Sequence, residues 1–217
     1  MTHSRNLLQN QLNYIAILAG GRSRRMGTDK ARLLFRQKIL LRRLVEDARQ
    51  QGLKPLLCAD DMVYPEVEPQ VITSPDLFTG KLGPLSAIQP ALESCYRRGE
   101  KWLWVYACDS LLCPSQLYPY LQSALEKVER ESPQNTLMIL PKGKRLLPLM
   151  GLYRSDLYAD LKTYLLQGHR RVMAFCHNYP VREVKFPESL HQCCNFNTPL
   201  QFALGKAQYT KYLQQST

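Results

Sequence analysis

The sequence predicts a single α/β domain in which helices cover both faces of a mostly parallel sheet. Short apolar runs alternate with longer amphipathic ones, the pattern of successive βαβ units. The 217 residues suit one domain, with no internal repeat, low-complexity tract or long linker. A composition of 45% hydrophobic and 22% charged residues is close to the globular average, so a substantial core is expected. Right-handed crossovers follow from that arrangement.

The elements read as follows. Tyr14–Leu18 is apolar and stops at Gly20 and Gly21, a buried strand ending in a turn. Residues 39–51 place Leu40, Leu41, Leu44, Val45 and Ala48 on one helical face. Residues 56–59 and 71–73 are strand candidates, and 83–96 form a helix that Pro90 would kink. Residues 102–107, WLWVYA, make a strong strand of aromatic and β-branched residues. Residues 114–131 are helical, 137–140 and 147–153 are strands, and 155–166 are helical with Ser155 as N-cap. In such sheets ligands bind at the carboxyl ends of the strands, so the residues just after each strand are the ones to examine.

No apolar run approaches the ~20 residues of a membrane span. The first thirteen residues are polar and lack a secretory signal, so residues 1–13 read as a flexible tail and 14–217 as the domain, in the cytoplasm. The seven cysteines are odd in number, scattered and without a Cys-x-x-Cys pair, which points to reduced thiols rather than a disulfide framework or a zinc site.

Net charge is +11, and ten basic against three acidic residues fall between Arg22 and Arg49. A basic concentration after the first strand suggests a local anion site, part of it a solvated helix face. Near-absence of aromatic residues there argues against a base-stacking nucleic-acid platform.

The segment after the first strand is LAGGRSRRMGTDK. Gly20 and Gly21 permit a sharp turn and close approach of backbone to a ligand, and successive amides in such a turn can cradle an anion. Arg25 and Lys30 add full charge. Neither the Walker A nor the dinucleotide-binding spacing is present, and an ordinary turn is an equal reading of the bare pattern.

That segment resembles the signature of the molybdenum cofactor guanylyltransferases, the MobA family. Further matches follow in order: Asp76 leading to Gly83-Pro84-Leu85, Cys108-Asp109, Pro148 before Leu152-Tyr153-Arg154, Gly168-His169-Arg170-Arg171-Val172-Met173, and Asn195-Phe196-Asn197-Thr198-Pro199. The resemblance spans about residues 14–201. The first motif marks the wider nucleotidyltransferase superfamily, and the last two point to this family.

The resemblance implies a Rossmann-like α/β fold of the nucleotide-diphospho-sugar-transferase type, and transfer of GMP from GTP to the terminal phosphate of molybdopterin. It implies that Leu18, Ala19, Gly20 and Gly21 line the guanine and phosphate site, with Arg25 and Lys30 on the phosphates and Asp76 and Cys58 at the nucleotide. Gly20 favours GTP over CTP on the same ground. Further partners implied are molybdenum-insertion proteins and molybdoenzyme chaperones, with no nucleic acid and no membrane.

Asp109 closes the strand WLWVYA at the edge where ligands bind, and a carboxylate there suits Mg²⁺. The alternative is a helix cap, although Pro114 lies five residues on. The nucleophile would be a phosphate whose second pKa is about 6, already dianionic near neutrality, so no general base is required. Charge neutralisation by Mg²⁺ on Asp109, Lys30, Arg25 and the loop amides would serve instead. None of the four histidines has a required role.

The second substrate is expected over the C-terminal half, with Asn195 and Asn197 on the pterin edge and Arg170 and Arg171 on its phosphate. Asn-Thr-Pro is equally a helix start, with Thr198 as cap, and the two readings are compatible. Three departures from the family pattern stand out: Cys58 where relatives carry Asn, Ser86-Ala87 in place of Ala-Gly, and Ser110-Leu111-Leu112 after Asp109 in place of a proline. Competing readings are a cytidylyl- or sugar nucleotidyltransferase of the same superfamily, a non-catalytic nucleotide- or cofactor-binding adaptor, and a nucleic-acid module resting on charge alone.

Overall fold

The computed structural model describes residues 12–20, 26–60, 62–67, 72–73 and 83–215. Among them the strands are β1 (Tyr14–Leu18), β2 (Leu34–Phe35), β3 (Lys38–Ile39), β4 (Lys54–Cys58), β5 (Ile72–Thr73), β6 (Trp102–Ala107), β7 (Met138–Lys142), β8 (Leu152–Arg154) and β9 (Val181–Lys185). The α-helices are α1 (Leu40–Gln50), α2 (Pro84–Arg97), α3 (Pro114–Glu131), α4 (Leu157–Leu166), α5 (Val172–Cys176) and α6 (Pro199–Gln215). Seven strands form one sheet in the order β5-β4-β1-β6-β8-β7-β9, and β2 and β3 form a separate hairpin. All neighbours in the sheet pair parallel except β8, which runs antiparallel to both β6 and β7.

Alternation along the strands divides the core in two. Ile15, Ile17, Trp102, Trp104 and Tyr106 pack with Leu40, Leu44, Leu117 and Leu121 of α1 and α3. Ala16, Leu18, Leu103 and Val105 pack with Leu85, Ile88 and Leu92 of α2 and Leu157 and Leu161 of α4. Each residue of β1 and β6 is buried, as a strand covered by helices on both faces requires. Helices α1 and α3 are also joined by Asp47, whose carboxylate accepts from the Ser115 backbone N–H and hydroxyl at 2.7 Å each. An acidic group at a helix N-terminus meets its unpaired amides and dipole.

Several expectations need correction. Leu12, assigned to the tail, is buried, and the Asn13 side chain donates to Glu100 at 2.8 Å. The apolar run 147–153 is a strand only from Leu152; Pro148–Met150 is a 3₁₀ turn, which apolar composition without alternation cannot distinguish from a buried strand. Ser155 does not cap α4, because its hydroxyl donates to the Glu100 carbonyl at 2.5 Å. Helix α2 continues through Pro90 to Arg97. The β2–β3 hairpin was not expected: its two-residue turn is Arg36-Gln37, both at positive φ (51° and 65°), where Asn-Gly would have announced it. Among the described residues, no helix is long and apolar enough to cross a membrane.

Candidate active site

The three central strands end together. The Leu18 carbonyl accepts from Cys108 N–H at 3.0 Å, so β1 and β6 finish level with each other. The amides of Ala19 and Gly20 both donate to the Cys58 carbonyl, at 2.9 and 3.2 Å. Of the Gly20–Gly21 turn expected to cradle an anion, the Gly20 N–H therefore already has a protein acceptor, while Gly21 lies outside the described residues. Gly20 does not adopt positive φ, and a Cβ there would meet Ala59 and Asp60 at 3.4 Å, in contact but without overlap. The fold therefore tolerates a methyl group at position 20, and close approach of a ligand is what a side chain there would obstruct.

Lys30 opens a 3₁₀ turn, Lys30–Arg32, that Asp29 caps by accepting from Ala31 N–H at 3.0 Å. The other Asp29 oxygen lies 2.9 Å from the hydroxyl of Tyr64, which also stands 3.1 Å from the Ala19 carbonyl. Tyr64 is buried, and burial together with the Asp29 charge pushes its phenol far up. One neutral hydroxyl thus fastens both ends of the loop between Ala19 and Asp29. Sequence reasoning missed Asp29 and Tyr64, because the mid-loop position of Tyr64 carries no motif.

From this turn the Lys30 ammonium reaches Asp109 Oδ2 at 3.0 Å and Asn197 Oδ1 at 2.8 Å. Asn197 Nδ2 donates in turn to Asn195 Oδ1 at 3.0 Å. Residues assigned separately to the two substrates therefore form one polar chain, Asp109–Lys30–Asn197–Asn195. Burial raises the Asp109 carboxyl above the usual carboxylate range against the opposing pull of Lys30. Asp109 is not a helix cap: Cys113 and Gln116 form the capping box of α3.

The departure at Ser110 has a local function. Its buried hydroxyl accepts from Leu112 N–H at 3.1 Å and lies 3.4 Å from the Cys193 carbonyl, while Leu111 N–H donates to that carbonyl at 2.8 Å. The segment after Asp109 is thereby tied to the 3₁₀ turn Glu188–Cys193 that leads to Asn195 and Asn197. Thr198 also caps α6, with Gln201 N–H donating to its hydroxyl at 3.2 Å, so capping and site placement coexist in one motif.

Beside Asp109 opens a cleft of about 320 Å³. Asp109, Asn195 and Arg145 supply its polar groups, and Leu146, Leu149 and Met173 are among its apolar walls. Arg170 and Arg171 are not among the lining residues. Arg170 Nη1 donates to the Leu165 and His169 carbonyls at 2.6 Å each, closing the end of α4, and Arg171 is the N-cap residue of α5. Cys58 packs its thiol into the core beneath the sheet, and its carbonyl accepts from the Ala19 and Gly20 amides. Gly21, Arg25 and Asp76 lie outside the described residues.

Most of the described basic residues between 26 and 49 have other partners. Lys38 and Arg42 pair with Glu46, Arg32 with Glu66, and Arg43 lies over the Phe35 ring. Lys30 is the one that reaches Asp109. None of the seven cysteines is in a disulfide, and burial pushes Cys193 up to about 12 and Cys113 up to about 11, which leaves them as thiols at neutral pH. Among the described residues, no three of His, Cys, Asp and Glu cluster as a metal site.

Residues 15–182 match the model of the MobA-like NTP transferase domain. The chain belongs to that family. A molybdenum cofactor guanylyltransferase of Rhizobium leguminosarum bv. trifolii is 34% identical over 84% of this chain and 86% of its own length. A probable molybdenum cofactor guanylyltransferase of Carboxydothermus hydrogenoformans is 30% identical over 87% of this chain and 92% of its own. In three dimensions the chain is similar to the molybdopterin-guanine dinucleotide biosynthesis protein A of Archaeoglobus fulgidus, with TM-score 0.68 at 21% identity over 91% of this chain and 99% of that one. That likeness supports the fold. As a MobA-like transferase the protein is a nucleotidyltransferase, and the family match ends before Asn195 and Asn197, so their junction with Lys30 is a finding of the geometry.

Proposed function

We propose that this protein transfers GMP from GTP to the terminal phosphate of molybdopterin, releasing pyrophosphate. The observation that carries the reading is the chain Asp109–Lys30–Asn197–Asn195, which joins the nucleotide end of the sheet to a cleft with apolar walls and a polar rim. The names of its relatives supply the two substrates.

The incoming phosphate is a dianion near neutral pH, so no residue need remove a proton from it. The obstacle is repulsion between two anions, and it is met by fixed positive charge and in-line positioning. Lys30 is the described cation best placed for this, oriented from two sides by Asp109 and Asn197. A phosphate oxygen entering here would take a proton donor from an ammonium already held in position. As the new bond to the α-phosphorus forms, the bond to the β-phosphate breaks and pyrophosphate carries away its electron pair. Leu146, Leu149 and Met173 exclude water from the ring system of the acceptor.

Asp109 fits a divalent cation, Mg²⁺ being the natural choice beside triphosphate. Its carboxylate is hard, stands at the rim of the cleft, and keeps 21% of its side chain exposed beside Lys30. A metal bound there would supply Lewis-acid charge to the phosphate oxygens. Lys30 would hold the same carboxylate from its other side.

The deciding experiment offers GTP, CTP, UTP and ATP with Mg²⁺ and measures pyrophosphate release with and without molybdopterin. GTP should give release that depends on molybdopterin. CTP turning over at least as well as GTP would replace the reading with a cytidylyl transfer.

A further inference from the structure

We infer that Arg145 grips an anionic group of the incoming substrate in the cleft and that His191 aims it. The inference rests on the reading that an anionic second substrate occupies this cleft. Arg145 sits on the tight connection between β7 and the turn Pro148–Met150, where Lys142 and Leu146 form a bridge and Leu147 N–H donates to the Pro141 carbonyl at 2.9 Å. Its backbone is therefore fixed while its side chain lines the cleft together with Asp109 and Asn195. Among the described residues no carboxylate pairs with it, in contrast to Lys38, Arg42 and Arg32.

Arg145 Nε donates to His191 Nε2 at 3.2 Å. That bond requires an imidazole unprotonated at Nε2, with its proton on Nδ1. The ring is closely packed: a Cβ on Gly143 would lie only 3.0 Å from Nδ1, and Nδ1 is buried with no hydrogen-bond partner among the described residues. Burial, Arg145 and Lys144 keep His191 below the usual histidine range, against Glu188. The ring is thus an acceptor at neutral pH. With Nε engaged, the two terminal nitrogens of Arg145 have no hydrogen-bond partner among the described residues, and they form the fork that suits a phosphate or carboxylate. Arg170, the arginine first expected there, directs Nη1 to the carbonyls at the end of α4 and does not line this cleft.

The test uses the full chain and four variants: Arg145→Gln, Arg145→Lys, His191→Leu and His191→Gln. Pyrophosphate release is measured against varied molybdopterin at saturating GTP, with GTP and molybdopterin affinities measured separately by calorimetry. Arg145→Gln should raise KM and Kd for molybdopterin about tenfold or more, the scale of a charge-assisted hydrogen bond, and leave GTP affinity within about twofold. Arg145→Lys should recover only part of the loss. His191→Leu should raise the same KM, and His191→Gln, whose amide oxygen can accept from Nε, should restore it. An unchanged molybdopterin Kd in Arg145→Gln overturns the inference, as does an equal loss of GTP affinity. If the wild type binds molybdopterin without transferring GMP to it, the proposed activity fails, while the Kd comparison still decides the role of Arg145. If the wild type binds no molybdopterin, both fail.

Discussion

Lys30 Nζ lies 2.8 Å from Asn197 Oδ1 although 167 positions of chain separate the two residues. The contact closes the site, because the same ammonium is 3.0 Å from Asp109 at the end of the central strand. A group from the first βα connection, one from the sheet edge and one from the start of the last helix therefore converge. Each of the three constrains the other two.

Replacing Asp109 by Asn keeps the shape and removes the charge. Transfer should fall by about a hundredfold or more, as expected for losing one preorganised charge interaction. Melting temperature should fall as well, since the Lys30 ammonium, 14% exposed, is left without its carboxylate. A rate near wild type, measured by pyrophosphate release, would remove Asp109 from the chemistry.

Lys30→Ala should also abolish most turnover, and excess Mg²⁺ should not restore it. It should lower stability too, because a largely buried carboxylate loses its cation. The pH dependence has a definite sign. A raised carboxyl pKa in the folded state means that the folded protein takes up a proton more readily than the unfolded chain, so the cost of the charge disappears as pH falls through that pKa. The melting-temperature gap between wild type and variant should be widest at neutral pH and close on acidification, beginning above the ordinary Asp value of about 3.9. A gap independent of pH would show that the loss comes from packing.

Tyr64→Phe removes the hydroxyl between the Ala19 carbonyl and the Asp29 carboxylate. Loss of one such bond should cost about 1–3 kcal/mol of stability by chemical denaturation. GTP affinity should weaken as well, because the loop ends and the Lys30 turn lose their common anchor. Retained GTP affinity with reduced stability would make Tyr64 a packing residue only.

Gly205→Ala places a Cβ 2.9 Å from the Gln192 carbonyl and 3.0 Å from Leu111. Helix α6 must then move from the turn that carries Cys193, at about 1–3 kcal/mol. Because Asn195 and Asn197 lie between those elements, KM for molybdopterin should rise more than KM for GTP. Steady-state kinetics with each substrate varied would reveal equal effects if the displacement were general.

The central sheet was legible because its signal is local. Tyr14–Leu18 and Trp102–Ala107 are continuous apolar runs ended by turn residues, and both are found at the expected bounds. Asp109 was found by the same logic, as the first carboxylate past a buried strand. The β2–β3 hairpin was hidden because its turn uses Arg36-Gln37 at positive φ, and β9 because Val181–Lys185 is an edge strand with mostly exposed, charged residues. The tie from Lys30 to Asn197 leaves no trace in spacing, since only the tertiary fold sets it. Arg145 carries no motif and was not singled out, and adjacency of Arg170 and Arg171 in sequence says nothing about which carbonyls they meet.

The reversed strand β8 has a consequence for how such a protein changes over time. With Trp104 opposite Leu152 and Trp102 opposite Arg154, the chain enters β8 beside the finishing end of β6. The rim next to Asp109 is therefore furnished by an arriving segment, residues 143–151, whereas β1 and β4 run toward that edge. Insertions or deletions in the arriving segment leave the register of β1, β4 and β6 untouched. The cleft wall beside Asp109 can accordingly change in length and composition without the sheet being rebuilt.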